Sequence, residues 1–271
     1  MDANLREQYG PWALIAGGSE GIGFEFGRRL AAGGINLLLI ARREGPLNEA
    51  REKLLAEFDI EVRTASVDLT ADDLETRLSE LTDDLDVGML VYNAGATHGA
   101  DLFLDAPLSK ARQLVSLNCL GPITLCHYLG GKMRERGRGG MILLSSMSGL
   151  SGGAYVSAYA ATKSFDITFA ESLWAELQPY GVHALALVTG ATDTPAMARA
   201  GIDMANCSAL TPQQVADEGL AALGEKPFHA VGEQNQAMVE LVRGGDRAQL
   251  INMMSMGAAS LFAKPYPLTG Y

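Results

Sequence analysis

The chain is short of cysteine, with three among 271 residues (Cys119, Cys126 and Cys207) and no C-x-x-C pair. That excludes a disulfide scaffold and suits a reducing compartment. It is also short of positive charge. Lys and Arg total 21 against 32 Asp and Glu, for a net charge of −11, which argues against nucleic acid or an anionic membrane as a partner. The densest basic cluster, Arg134, Arg136 and Arg138, reads as the solvated end of a helix. Long hydrophobic runs are missing too, since none nears the ~20 residues that span a bilayer. Met1 to Gly10 is polar and charged, unlike a signal peptide, so the expected location is the cytoplasm. His98, His127, His183 and His229 show no metal-ligand spacing. Cys126 and His127 are neighbours and face apart on a helix, so neither a metal site nor a Cys–His nucleophile is expected.

What is present is globular composition, 48% hydrophobic and 20% charged, arranged as alternating apolar runs and amphipathic stretches. Trp12 to Ala16 reads as a strand, G-G-S-E-G-I-G as a turn, and Ile22 to Ala32 as a helix. Glycines 17, 21 and 23 let the backbone turn sharply and approach a pyrophosphate held at the helix N-terminus, although the same loop alone is also a plain tight turn. Strand Ile35–Ile40, helix Pro46–Phe58, strand Glu61–Val67, helix Ala71–Leu81 and strand Val87–Tyr92 follow. Strand and helix in steady alternation predict an α/β fold: a Rossmann-type, doubly wound parallel sheet with helices on both faces, one dinucleotide-binding domain over residues 1–271. Asp68 and Asn93 fall at strand C-termini, where binding residues are expected. Arg42 stands where an acidic residue would hold a ribose 2′-hydroxyl, which favours NADP(H) over NAD(H). Glu20, in the glycine loop, argues the other way.

Leu108 to Arg136 reads as a long helix interrupted at Asn118 and kinked at Gly121-Pro122. Asn118 there is either a polar filler or a working residue. A strand around Met141–Leu144 then runs out into S-S-M-S-G-L-S-G-G-A-Y-V-S-A-Y-A-A-T-K, residues 145–163. On a helix expected from about Ala154 to Gln178, Tyr159 and Lys163 are four residues apart and share a face. A phenol with a pKa near ~10 is a poor base at neutral pH, but an adjacent ammonium favours the phenolate and brings it into range. Ser146, at the strand end, could hydrogen-bond the same substrate oxygen. The arrangement suits proton transfer for a carbonyl/alcohol pair. A Tyr–Lys pair at this spacing is common by chance, so the assignment leans on the pattern upstream.

Taken together, these stretches resemble the short-chain dehydrogenase/reductase family, in its compact single-domain branch. The matching segments are A-G-G-S-E-G-I-G (16–23), Asp68-Leu69, Asn93-Ala94-Gly95, Asn118, Ser146, Y-A-A-T-K (159–163) and T-G-A-T-D-T (189–194), in the family's order over roughly residues 10 to 195. The resemblance implies Tyr159 as proton donor or acceptor, with Lys163 lowering its pKa and holding the nicotinamide ribose. It implies Ser146 orienting the substrate carbonyl and Asn118 holding a water in a relay from Lys163. Cofactor-binding positions would be Gly17, Ser19, Gly21, Ile22 and Gly23 in the loop, Arg42, Asp68 and Leu69 at the adenosine end, and Asn93, Ala94 and Gly95 at the next strand end. Tyr159, Lys163, Thr192 and Thr194 would face the nicotinamide. Ala16, Tyr92 and Thr189 depart from the family's usual threonine, asparagine and proline, and Glu20 stands where NADPH-preferring members often carry a basic residue.

After a strand at Ala184–Val188, residues 195–210 would form a substrate lid by the same resemblance, carrying Met197, Met204 and Cys207. Thr211 reads as the N-cap of a helix from Pro212 to Leu223, followed by a strand at Phe228–Val231. Residues 232–271 extend past the shared core, with Met253, Met254 and Met256 suggesting core or subunit interface. The expected function is an NAD(P)(H)-dependent oxidoreductase acting on a hydrophobic ketone or secondary alcohol. The alternative is a non-catalytic dinucleotide-sensing protein. An epimerase or dehydratase would need a larger C-terminal domain than the about eighty residues after Gly190. Phe165, Phe169, Leu173 and Trp174 give the catalytic helix more apolar surface than one sheet covers, which predicts a homodimer or homotetramer. The competing possibility is that the C-terminal extension folds back over them.

Overall fold

The computed structural model describes residues 4–95, 99–200, 202, 204 and 208–268, so His98 and Cys207 lie outside the described residues. In chain order the elements begin with α1 (Asn4–Tyr9), β1 (Trp12–Ala16), α2 (Gly21–Ala32), β2 (Asn36–Ala41), α3 (Glu44–Glu57), β3 (Val62–Ser66), α4 (Leu74–Thr82) and β4 (Val87–Tyr92). The second half holds α5 (Leu108–Val115), a π-helical turn (Ser116–Leu120), α6 (Gly121–Arg136), β5 (Gly139–Ser146), α7 (Ser157–Leu177) and β6 (Val182–Thr189). Then come α8 (Pro195–Arg199), α9 (Pro212–Ala222), β7 (Phe228–Ala230), α10 (Glu233–Gly244) and α11 (Arg247–Leu261).

The seven strands form one parallel sheet in the order β3-β2-β1-β4-β5-β6-β7. β1 and β4 are buried along their whole length, as their unbroken apolar sequences require of strands covered on both faces. One face packs Phe26, Leu30, Leu54 and Val215 from α2, α3 and α9. The other packs Leu78, Leu125, Leu129 and Ala170 from α4, α6 and α7. This is the doubly wound arrangement that the alternating pattern predicts. The winding reverses between β1 and β4, and that reversal opens a crevice beyond their C-terminal ends. The glycine loop follows β1 and Asn93 follows β4, so both border it.

Two local features differ from the sequence reading. The break in the long helix is a π-turn rather than a kink at Gly121-Pro122. Proline has no N–H for the carbonyl four residues back, and the chain relaxes by widening the turn before it. Tyr92, fully buried, donates from its hydroxyl to the Leu117 carbonyl in that turn at 2.6 Å. The helix that carries Tyr159 and Lys163 starts at Ser157, not Ala154, because Tyr155 takes φ 69, incompatible with a right-handed helix. The C-terminal extension packs on that same stretch. Tyr155 is buried with Ala259, Phe262 and Tyr266 and donates to the Pro265 carbonyl at 2.5 Å. Phe165, Phe169, Leu173 and Trp174 stay half-buried on α7.

Candidate active site

β5 ends at Ser146, whose Oγ accepts from the Ser148 N–H at 3.2 Å and caps a 3-10 turn over Met147–Leu150. That turn is stitched to α7. Ser145 Oγ donates to the Lys163 carbonyl at 2.6 Å, and Ser164 Oγ donates to the Gly149 carbonyl at 2.8 Å. A Cβ at Gly149 would lie 2.7 Å from the Lys163 carbonyl carbon, an approach only glycine permits. These contacts hold Ser146 and the turn carrying Tyr159 and Lys163 in one junction between strand and helix.

Lys163 is 6% exposed, and its ammonium donates to the Leu144 carbonyl and to Asp166 Oδ2, each at 2.8 Å. Burial pulls that ammonium's pKa down, but the Asp166 carboxylate and the Tyr159 oxygen outweigh it and hold the lysine above its ordinary 10.5. Burial likewise lifts Asp166 above its ordinary value despite the ammonium beside it. The pair therefore stops being ionic at the acid end when Asp166 takes a proton, and at the alkaline end when Lys163 releases one. Asn118 is fully buried on the π-turn and donates from Nδ2 to Thr162 Oγ1 at 3.0 Å. A Cβ at Gly95 would meet Lys163 Nζ at 3.4 Å and Asn118 Oδ1 at 3.6 Å. Gly95, Asn118 and Lys163 thus converge on one point beside the crevice.

The crevice itself fits a dinucleotide. Gly17 has φ 80 and donates to the Ile40 carbonyl at 2.8 Å, while its own carbonyl accepts from Asn93 Nδ2 at 2.8 Å. A methyl at Gly23 would drive into the Gly17 carbonyl, so the loop is wound too tightly for any side chain there. Glu20, the N-cap residue of α2, makes no side-chain cap hydrogen bond, and an uncapped helix N-terminus is the arrangement that receives a phosphate. Ser19 and Ile22 are half-buried within this turn. Gly21, at φ 56, lies 3.2 Å at its Cβ position from the Thr194 methyl, which brings α8 against the loop. Thr194 caps α8, and Thr192 pairs with Leu210 across the base of the 195–210 segment.

Past the end of β3, Asp68 accepts from the Thr70 N–H and hydroxyl at 2.9 and 2.7 Å and Leu69 is buried, while Ala94, just past β4, is half-buried. Those bonds, and then the Arg42 cation, hold the Asp68 carboxyl below its ordinary value. Arg42 is exposed at the end of β2 and forms no ion pair among the described residues. Glu20, whose charge in the glycine loop argues against a 2′-phosphate, is engaged by two other arginines: Arg43 at 3.0 Å and Arg199 of α8 at 2.9 Å.

Tyr159 opens onto an apolar cleft of about 270 Å³ lined by Phe103, Leu104, Leu108, Leu114 and Tyr155. Its polar wall is the Asp101–Lys110 ion pair at 2.9 Å. Among the described residues there is no cluster of metal ligands, and no helix long and apolar enough to cross a membrane.

The model of the short chain dehydrogenase family matches residues 11–205, and the chain belongs to that family. It is similar to a 7beta-hydroxysteroid dehydrogenase of Clostridium sardiniense, 31% identical over 250 residues that cover 92% of this chain and 95% of the relative. A solved 7beta-hydroxysteroid dehydrogenase structure superposes with a TM-score of 0.86 at 27% identity, covering 92% of this chain and 98% of that one. A short-chain dehydrogenase from Sphingobium yanoikuyae in complex with NADPH gives 0.74 at 26% identity, covering 88% and 98%. The chain is therefore a short-chain oxidoreductase using a nicotinamide dinucleotide.

The sequence reading passed over Asp166, Ser145 and Gly149. Asp166 was open to detection: three residues after Lys163, it is on the same helical side as a residue already singled out. Ser145 and Gly149 carry no such signal, because their roles come from the turn between β5 and α7.

Proposed function

We propose that the protein is an NADP(H)-preferring oxidoreductase that interconverts a bulky hydrophobic secondary alcohol and its ketone, with hydroxysteroids the first class to try. The observation that carries this reading is the position of Tyr159, one turn before Lys163 on a helix tied to the end of β5 where Ser146 stands, and at the wall of an apolar cleft. Bound in the crevice, the nicotinamide would supply or accept the hydride. The chain supplies the proton. In reduction, Ser146 Oγ hydrogen-bonds the substrate carbonyl oxygen and Tyr159 gives that oxygen its proton. The phenolate left behind is stabilised by the Lys163 ammonium, and Asn118 holds the water through which the proton is restored. Oxidation runs these steps in reverse. Arg42 would contact a 2′-phosphate, and the 195–210 segment would close over the substrate.

The hydroxysteroid class follows from the 7beta-hydroxysteroid dehydrogenase relatives and from the cleft's Phe and Leu lining. A purely sensing protein would have no use for Ser146, Tyr159, Lys163 and Asn118 together. The test is NADPH oxidation against a panel of steroid, acyl and aromatic ketones. Turnover highest on the steroid ketones supports the reading; no turnover on any member, with NADPH still bound, favours the sensor.

A further inference from the structure

Asp166 has no part in the mechanism above, yet it touches the lysine that does. Asp166 is 2% exposed, on the inner side of α7. Burying an ion pair costs several kcal/mol in desolvation, and apolar residues often replace such pairs without loss of stability. Stability alone is therefore a poor reason for a carboxylate here. Its geometry offers a better one. A lysine has four rotatable side-chain bonds, and Lys163 Nζ is fixed at two points, the Leu144 carbonyl and Asp166 Oδ2, each at 2.8 Å. That leaves one of its three N–H donors to point toward the crevice, where Gly95 leaves room.

We propose that Asp166 is a positioning residue, whose buried carboxylate keeps the Lys163 ammonium charged and aimed at the cofactor crevice. The proposal rests on the catalytic reading of Lys163. Without Asp166, burial would act on the ammonium with no carboxylate to oppose it, and the lysine would release its proton at lower pH. The other groups facing the pair do not do this work. Cys119, from the π-turn, has its thiol pushed up to about 11 by burial, and Cys126 of α6 and Tyr92 of β4 are raised by burial too. All three stay neutral across the working pH range. Tyr159 is the remaining neighbour on α7.

The test is NADPH affinity by nicotinamide fluorescence from pH 7 to pH 10, in wild type, Asp166→Asn and Asp166→Glu. An opposite charge within ~4–6 Å shifts a pKa by about 1–3 units. The affinity of Asp166→Asn should therefore fall by about tenfold or more relative to wild type between those limits, with Asp166→Glu recovering most of it. Parallel pH dependence in wild type and Asp166→Asn would overturn the proposal and leave Asp166 a structural filler. NADPH binding needs no substrate, so this outcome is separate from whether Tyr159 is the acid–base group, which its own substitution decides. If Asp166→Asn does not fold, ¹³Cε-lysine NMR of the wild-type protein decides, with Lys163 assigned by its absence in Lys163→Met. A Lys163 signal that does not titrate below 10.5 supports the proposal, and a midpoint below that value overturns it.

Discussion

Cofactor choice should turn on Arg42. The guanidinium lies at the end of β2, exposed and without an ion-pair partner among the described residues, so nothing need be broken for it to meet a 2′-phosphate. A charge-assisted bond of this kind contributes ~1.5–3 kcal/mol, and exposure to solvent places Arg42 at the lower end. At ~1.4 kcal/mol per decade, Arg42→Ala should weaken NADPH by about tenfold and NADH far less. Glu20 does not cancel this. Its carboxyl is held below the ordinary range, first by the Arg199 hydrogen bond and then by Arg199 and Arg43 charge, so a 2′-phosphate would meet it as part of a neutralised cluster. Titrating both cofactors against both proteins by fluorescence is the assay. Equal weakening of NADPH and NADH would refute the argument, and so would a wild-type preference for NADH.

Three further outcomes are expected. Gly23→Ala should abolish measurable NADPH binding while the fold survives, because the added methyl drives into the Gly17 carbonyl; calorimetric titration and circular dichroism together check this. Cys119 should alkylate slowly: burial pushes its thiol up to about 11, against ~8.5 for a free thiol, so at pH 8 the thiolate fraction falls on the order of 10²-fold. Because the thiol is neutral below that value, its rate should keep rising through pH 10, where a free thiol levels off, as peptide mapping after iodoacetamide would show. Light scattering at micromolar concentration should give a multiple of the 28.7 kDa chain mass, since Phe165, Phe169, Leu173 and Trp174 stay half-buried while the C-terminal extension packs around Tyr155; a monomer mass would contradict this.

The fold was legible because its signals are periodic. Buried strands such as Trp12–Ala16 and Val87–Tyr92 announce themselves as unbroken apolar runs, and the glycine loop marks the crevice between them. The Tyr159–Lys163 pair was visible because four residues make just over one helical turn. The π-turn was half visible. Pro122 signalled a break, but which carbonyl would compensate depended on Tyr92, thirty residues away, reaching Leu117. Nothing in the sequence around Tyr155 marks it out. Its left-handed backbone and its bond to Pro265 are set by the far end of the chain, which no local window contains. Ser145 and Gly149 are of the same kind, ordinary in sequence and defined by the packing of a turn onto a helix.

The most direct test of the central claim is turnover in Tyr159→Phe, measured beside NADPH affinity. The substitution removes one hydroxyl from a side chain that lines the cleft and leaves the ties between β5 and α7 untouched. Positioned acid–base groups contribute ~10²–10⁴-fold, so turnover on the preferred ketone should fall by about 10² or more with NADPH binding close to wild type. Lys163→Met should differ by weakening NADPH as well. Near-wild-type turnover in Tyr159→Phe would contradict the account.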